Sequence, residues 1–214
     1  MSSLYPARPV PPSPPARRLR TVKGASQFMG LGLALLWVIE ILDLFTGGAL
    51  DRLGVSPRDV SDLPNILTAP LIHFGFGHLI ANTVPFFVLG VVVLLGGLRR
   101  WLISTGSSVV GSGLLAWLIS PPGSVTAGAS GLIFGWLVYL LARGIFSKDA
   151  RQILLSLVIF ALWGGVLWGL LPGVPGVSWQ AHLGGALGGL AAAWWLDSTS
   201  ERRTRLSVQS WRRM

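Results

Sequence analysis

The chain has 214 residues, of which 51% are hydrophobic and only 12% are charged, and its mean hydropathy is +0.64. A soluble domain of this length needs far more polar residues to cover its surface, so the composition excludes that class and predicts an all-α integral membrane protein. The absence of cysteine excludes disulfides and a thiol nucleophile, and the net charge of +9 lies in tails and short connections, which fits membrane topology better than nucleic-acid binding.

The predicted elements begin with a basic, proline-rich segment over residues 1–24, which has no apolar run and is interpreted as a disordered cytoplasmic tail. Six apolar stretches follow, each close to the ~20 residues that a helix needs to cross a bilayer. We place them at about residues 26–45, 78–98, 101–119, 128–146, 152–171 and 178–196. A second basic cytoplasmic tail is expected over residues 198–214, which leaves residues 25–197 as the membrane core.

The connections between these spans alternate in charge. Basic residues occupy the connections after spans two and four and the segment after span six. The connection after span one is slightly acidic, and those around Pro121 and Pro172 carry no charge. Because basic connections remain in the cytoplasm, the pattern predicts a multi-pass protein of the cell membrane with both termini cytoplasmic.

Polar side chains gather at the outer ends of three spans. His78 and Asn82 are four residues apart at the start of span two, so they share a helix face. Ser130 begins span four and His182 lies near the start of span six. At ~1.5 Å of rise per residue, these groups lie about one helical turn, or ~6 Å, below the outer boundary. A cap or an interhelical hydrogen bond explains each residue alone, but their common depth favours a chemical site.

The residue types fit nucleophilic catalysis. Ser130 lies on the first turn of its helix between Gly128 and Gly131, where N–H groups lack intrahelical acceptors and the macrodipole favours an oxyanion. His182 would take the proton of Ser130 and return it to the leaving amine. The Ser130 N–H, together with His78 and Asn82, would hold the developing oxyanion.

Acidic residues are poorly placed to complete a triad. Glu40 and Asp43 lie near the outer end of span one, and Asp197 lies at the cytoplasmic end of span six. A Ser-His dyad is therefore expected, with Phe134, one turn after Ser130, stacking on the His182 ring.

Small residues recur every fourth position on spans four and six. Gly131 and Gly135 form one such pair, and Gly185 and Gly189 form the other. This spacing is typical of closely packed membrane helices, so these glycines are interpreted as packing residues that support the site.

Three motifs together resemble the rhomboid intramembrane serine proteases over about residues 26–197. They are His78-x-x-x-Asn82, Gly128-Ala129-Ser130-Gly131 and Ala181-His182-Leu183-Gly184-Gly185-x-x-x-Gly189, in this order on spans two, four and six. The resemblance implies a six-transmembrane-helix rhomboid-like bundle with Ser130 as nucleophile, His182 as general base, and His78 and Asn82 in the oxyanion hole.

The resemblance also implies partners. The substrates would be single-pass membrane proteins in the lipid bilayer, whose helix unwinds near the outer face at a small residue, with access between spans two and five. No metal or other cofactor is expected, and the oligomeric state stays open. Two departures stand out: residues 46–77 lack the Trp-Arg pair of some bacterial members, and Phe134 replaces the tyrosine of others.

Three alternatives compete with a protease of this kind. A catalytically inactive rhomboid-like protein that binds membrane helices would have no use for both Ser130 and His182. A transporter relaying protons through His78 and His182 would place polar groups through the full depth of the membrane, whereas the inner halves of spans two, four and six are almost purely apolar. A metalloprotease is disfavoured because the sequence contains no His-Glu-x-x-His motif.

Overall fold

A computed structural model describes residues 19–147 and 149–211, with side chains as far as residue 198. These residues are helical throughout, apart from their connections and one isolated pairing of extended backbone, so the predicted all-α architecture is confirmed. We number the α-helices α1 to α6: Val22–Thr46, Phe76–Leu95, Leu98–Ile119, Ser130–Phe146, Ala150–Trp163 and Trp179–Trp211. Short 3₁₀ helices lie between them at Ala49–Leu53, Val60–Ile66, Ala69–Leu71 and Gly164–Leu170.

Among the described residues, four helical segments are long and apolar enough to cross a membrane. They are α1, α2, α3, and α5 together with the 3₁₀ segment that extends it to Leu170. α4 is apolar but has only 17 residues, and α6 joins an apolar first half to a charged second half over 33 residues. The helices therefore indicate a multi-pass membrane protein, while the full count of six membrane crossings stays a prediction.

The helix ends differ from the predicted spans by a few residues. α1 begins at Val22, inside the segment predicted as a tail, because the Thr21 hydroxyl accepts a hydrogen bond from the Gly24 N–H and caps the first turn. Arg99 and Arg100, predicted to lie in a connection, belong to the first turn of α3. The α6 backbone continues to Trp211, through most of the predicted C-terminal tail. Residues 1–18 of the predicted N-terminal tail lie outside the described residues.

α4 lies at the centre of the bundle, and most of its residues are buried. It packs against α6 through glycines: a Cβ on Gly185 would meet the Gly131 carbonyl oxygen, and one on Gly189 would meet that of Gly135. Such backbone-to-backbone contact is available only to residues without side chains. By contrast, Ile159 is the only residue of α5 that is buried, so α5 is loosely attached to the bundle in comparison with α4.

The connection between α1 and α2, residues 47–75, folds back over the ends of the other helices. Val55 and Thr126 exchange two backbone hydrogen bonds of 2.8 and 2.9 Å. The Arg58 guanidinium donates to the carbonyls of Leu118 and Ser120, at the C-terminal end of α3, at 3.2 and 3.0 Å. This connection is therefore ordered, and it lies directly over the N-terminal end of α4.

Candidate active site

Ser130 is the first residue of α4, and the backbone leading to it requires glycine. Gly128 has a φ of +119°, a conformation that residues with a Cβ rarely adopt. A Cβ at this position would also lie 2.5 Å from Cε1 of His78, so the imidazole packs directly on the glycine backbone. The predicted Gly-x-Ser-Gly motif therefore forms a tight turn that delivers the hydroxyl of Ser130 to the start of the helix.

His182, near the start of α6, reaches the serine. Its Nε2 lies 2.9 Å from the Ser130 Oγ, and its Nδ1 lies 2.9 Å from the carbonyl oxygen of Gly169. Because a carbonyl can only accept, Nδ1 must carry the proton, which leaves Nε2 with a lone pair that accepts the serine O–H. The arrangement fixes the tautomer that a general base needs.

Two further contacts hold the imidazole in place. The ring of Phe134 stacks on it with a centroid separation of 4.1 Å and an interplanar angle of 12°, so the expected stacking is present. A Cβ on Gly169 would lie 2.9 Å from the Phe134 ring and 3.2 Å from His182 Nδ1. Only a residue without a side chain can bring its carbonyl this close to both rings.

His78 and Asn82 line the same cavity as Ser130 and His182. This cavity, about 850 Å³ in volume, lies among the first connection and the N-terminal ends of α2, α4 and α6. Asn82 is 6% exposed, and in the part of the chain that the structure describes its Nδ2 has no hydrogen-bond partner. An unpaired buried donor is costly, so this amide is available to an acceptor that enters the cavity.

In the part of the chain that the structure describes, no carboxylate takes the place of a triad acid. Among the described residues, the group bound to His182 Nδ1 is the Gly169 carbonyl. Asp197 lies within 3.9 Å of the guanidinium groups of both Arg100 and Arg143, at the other end of the bundle. Glu40 and Asp43 are buried near the C-terminal end of α1.

The first connection contributes a residue that the sequence analysis did not assign to the site. The Nε2 of His73 accepts a hydrogen bond of 3.3 Å from the Ala129 N–H, next to Ser130. Its ring is 1% exposed and meets the His78 ring edge to face at 5.0 Å. Burial, and then the neighbouring His78, lower the pKa of His73 to about 4, so it is neutral near pH 7 and able to accept.

His73 and Gly169 were missed for the same reason. His73 binds a backbone N–H of the site, and Gly169 binds the site through its own backbone carbonyl. Every residue has these backbone groups, so such contacts leave no spacing pattern in the sequence. The available signal was weak: His73 precedes His78 by five residues, which is not a shared helix face.

Comparison with known proteins places this geometry in a family context. Residues 61–198 match the model of the Rhomboid domain, a range that contains all the site residues. The chain is 39% identical over 203 residues to the uncharacterized protein Rv1337 of Mycobacterium tuberculosis, covering 91% of this chain and 84% of that protein. It is 40% identical over 197 residues to the uncharacterized protein ML1171 of Mycobacterium leprae, with coverages of 88% and 77%. It is also 32% identical over 135 residues to the rhomboid protease GluP of Bacillus subtilis, covering 60% of this chain and 25% of that protein.

Proposed function

Because this chain belongs to the rhomboid family, we propose that it is an intramembrane serine endopeptidase that cleaves single-pass membrane proteins near the outer face of the cell membrane. The observation that carries the proposal is the pair of 2.9 Å contacts that joins Ser130 Oγ, His182 and the Gly169 carbonyl. They give a serine hydroxyl a base in the correct tautomer, which is the minimum for acyl transfer through a Ser-His dyad.

In the acylation step, the Ser130 Oγ attacks the carbonyl carbon of the scissile peptide bond. Its proton passes to His182 Nε2 as the new C–O bond forms, and the carbonyl oxygen becomes an oxyanion. Collapse of the tetrahedral intermediate breaks the C–N bond, and His182 gives its proton to the departing nitrogen. Water then attacks the acyl-enzyme by the same sequence of proton transfers and releases the acid product with Ser130 regenerated.

The oxyanion would be held by the Ser130 N–H and by the side chains of His78 and Asn82. The unpaired Asn82 Nδ2 supports this role, since it has a hydrogen bond to give and no acceptor among the described residues. Donors that are already fixed in place stabilise the charge without reorganising, and each is worth on the order of 10²-fold in rate.

The cavity supports access for both water and an unwound substrate segment. It reaches from His78 and Ser130 to the connection between α5 and α6, which lies at the outer ends of these helices in the proposed topology. We propose that both termini are cytoplasmic, as the basic connections favour, and that the substrate helix approaches between α2 and the loosely attached α5.

The test is cleavage of single-pass substrates in proteoliposomes that contain the purified protein. Ser130→Ala and His182→Ala are each expected to lower kcat by about 10⁴-fold or more, because removing either member of such a pair abolishes nucleophilic attack. Ser147→Ala, at the opposite end of the same helix, is the matched control and should leave kcat unchanged. An unmodified protein that cuts none of a panel of substrates, but binds them, would instead favour a catalytically inactive helix-binding protein.

A further inference from the structure

The two peptide N–H groups that precede Ser130 are both bound by the first connection. The Gly128 N–H donates to the Ala69 carbonyl at 2.8 Å, and the Ala129 N–H donates to His73 Nε2 at 3.3 Å. The connection thus holds the backbone immediately before the helix at two successive peptides.

The consequence is a difference between neighbouring donors. In the first turn of α4 the N–H groups have no intrahelical acceptor, and for the Ser130 N–H the described residues offer none elsewhere. Because Gly128 and Ala129 are already satisfied, Ser130 supplies the first free backbone donor at the mouth of the cavity. The Ala129 N–H and the Ser130 N–H belong to successive peptide planes that meet at the Ala129 Cα, so a displacement of the first plane moves the point from which the second projects.

We propose that His73 is a positioning residue for the reaction of Ser130: by accepting the Ala129 N–H, it fixes the direction of the Ser130 N–H toward the developing oxyanion. The inference rests on the proposed protease function. His73 does not line the cavity that holds Ser130 and His182, so it would act on the reaction through the Ala129 peptide. Its edge contact with His78 links the same imidazole to a second group of the oxyanion hole.

The alternative is that His73 only fills space under the first connection, and two substitutions separate the two roles. His73→Phe keeps a planar ring against His78 but removes the acceptor. His73→Gln loses the ring but places an amide oxygen near the position of Nε2, so it can accept the Ala129 N–H again. A space-filling role predicts that phenylalanine is the better replacement, whereas the positioning role predicts that glutamine is.

The measurement is kcat and KM in proteoliposomes. Rates are expressed per mole of folded protein, and thermal unfolding gives the folded fraction of each variant. His73→Phe is expected to lower kcat by about 10- to 100-fold with KM changed by less than about threefold, because the loss is confined to the transition state. His73→Gln is expected to recover most of that loss. Ile72→Ala is the matched control: it empties a buried position next to His73 and lowers stability, but it should leave kcat per folded molecule unchanged.

The outcomes distinguish this inference from the function on which it rests. If His73→Phe cleaves with the kcat of the unmodified protein, or if glutamine is no better than phenylalanine, the positioning role is wrong while the protease function stands. If the unmodified protein has no activity that depends on Ser130, the function is wrong and the positioning role is overturned with it.

Discussion

Replacing Gly185 by alanine tests how tightly the geometry of the site depends on helix packing. The added Cβ would fall on the Gly131 carbonyl oxygen and would lie 3.3 Å from the Gly131 Cα. Neither is part of a side chain that could rotate aside, so α6 must move away from α4. Restoring an ordinary contact between carbon and oxygen requires a shift of roughly 1 Å or more.

The effect on rate follows from the position of Gly185 one turn after His182. The present distance of 2.9 Å between His182 Nε2 and Ser130 Oγ would lengthen to about 4 Å, beyond the range of a hydrogen bond. A misplacement of about 1 Å in reacting groups costs on the order of 10²-fold in rate, or about 2.7 kcal/mol in the activation barrier. Overpacking should also lower the free energy of unfolding by about 1–3 kcal/mol.

The assay compares kcat in proteoliposomes with thermal unfolding for three alanine variants. Gly106→Ala, on an exposed part of α3 where a Cβ meets nothing within 4 Å, should leave kcat unchanged and raise stability slightly, because alanine favours a helix. Gly189→Ala, one turn further from the site, should destabilise as much as Gly185→Ala but slow cleavage less. If Gly185→Ala is destabilised yet cleaves within about threefold of the unmodified protein, packing of α4 on α6 does not set the distance between serine and histidine.

Substitutions at three further positions test the connections. Gly128→Ala should abolish most activity in a protein that still folds, because a φ of +119° and the contact with His78 both exclude a Cβ; cleavage by the folded variant at an undiminished rate would contradict this. Arg58→Ala should lower the free energy of unfolding by about 1–2 kcal/mol through the loss of two hydrogen bonds to the end of α3, and Arg58→Gly should recover part of it because the φ of Arg58 is 62°; thermal unfolding measures both. His73 has a lowered pKa of about 4, so the unfolded chain binds more protons than the folded one between pH 6.5 and 4. The free energy of unfolding should therefore fall by about 3 kcal/mol in all as the pH drops through this range. His73→Phe lacks this titration, so its melting temperature should fall less between pH 7.5 and 5.

The residues that the sequence brought together share one property: each acts through its side chain from a helix. Helical spacing relates His78 to Asn82, and membrane depth relates Ser130 to His182, so both relations can be read from the chain without knowing any tertiary contact. The stacking of Phe134 on His182 follows in the same way from one turn of helix. The ends of the helices were less predictable, because a capping residue such as Thr21 can begin a helix a few residues before the apolar pattern starts.

The connections were the part that could not be predicted. The path of residues 47–75 depends on Arg58 donating to carbonyls sixty residues away and on a backbone pairing of Val55 with Thr126. Any residue has a carbonyl, so such partners carry no signature of composition or spacing. The missing Trp-Arg pair gave no indication that Arg58 would anchor this connection instead.

Two contacts in the bundle determine different properties of the pair formed by Ser130 and His182. The distance from Ser130 to His182 depends on the contact between α4 and α6, whose backbones meet without intervening side chains. The tautomer of His182 is set by the Gly169 carbonyl, which belongs to the 3₁₀ segment that continues the loosely attached α5. Displacement of α5 would therefore leave the serine and the imidazole in contact but would free Nδ1, so that the proton could occupy either ring nitrogen and the fraction of His182 able to act as a base would fall.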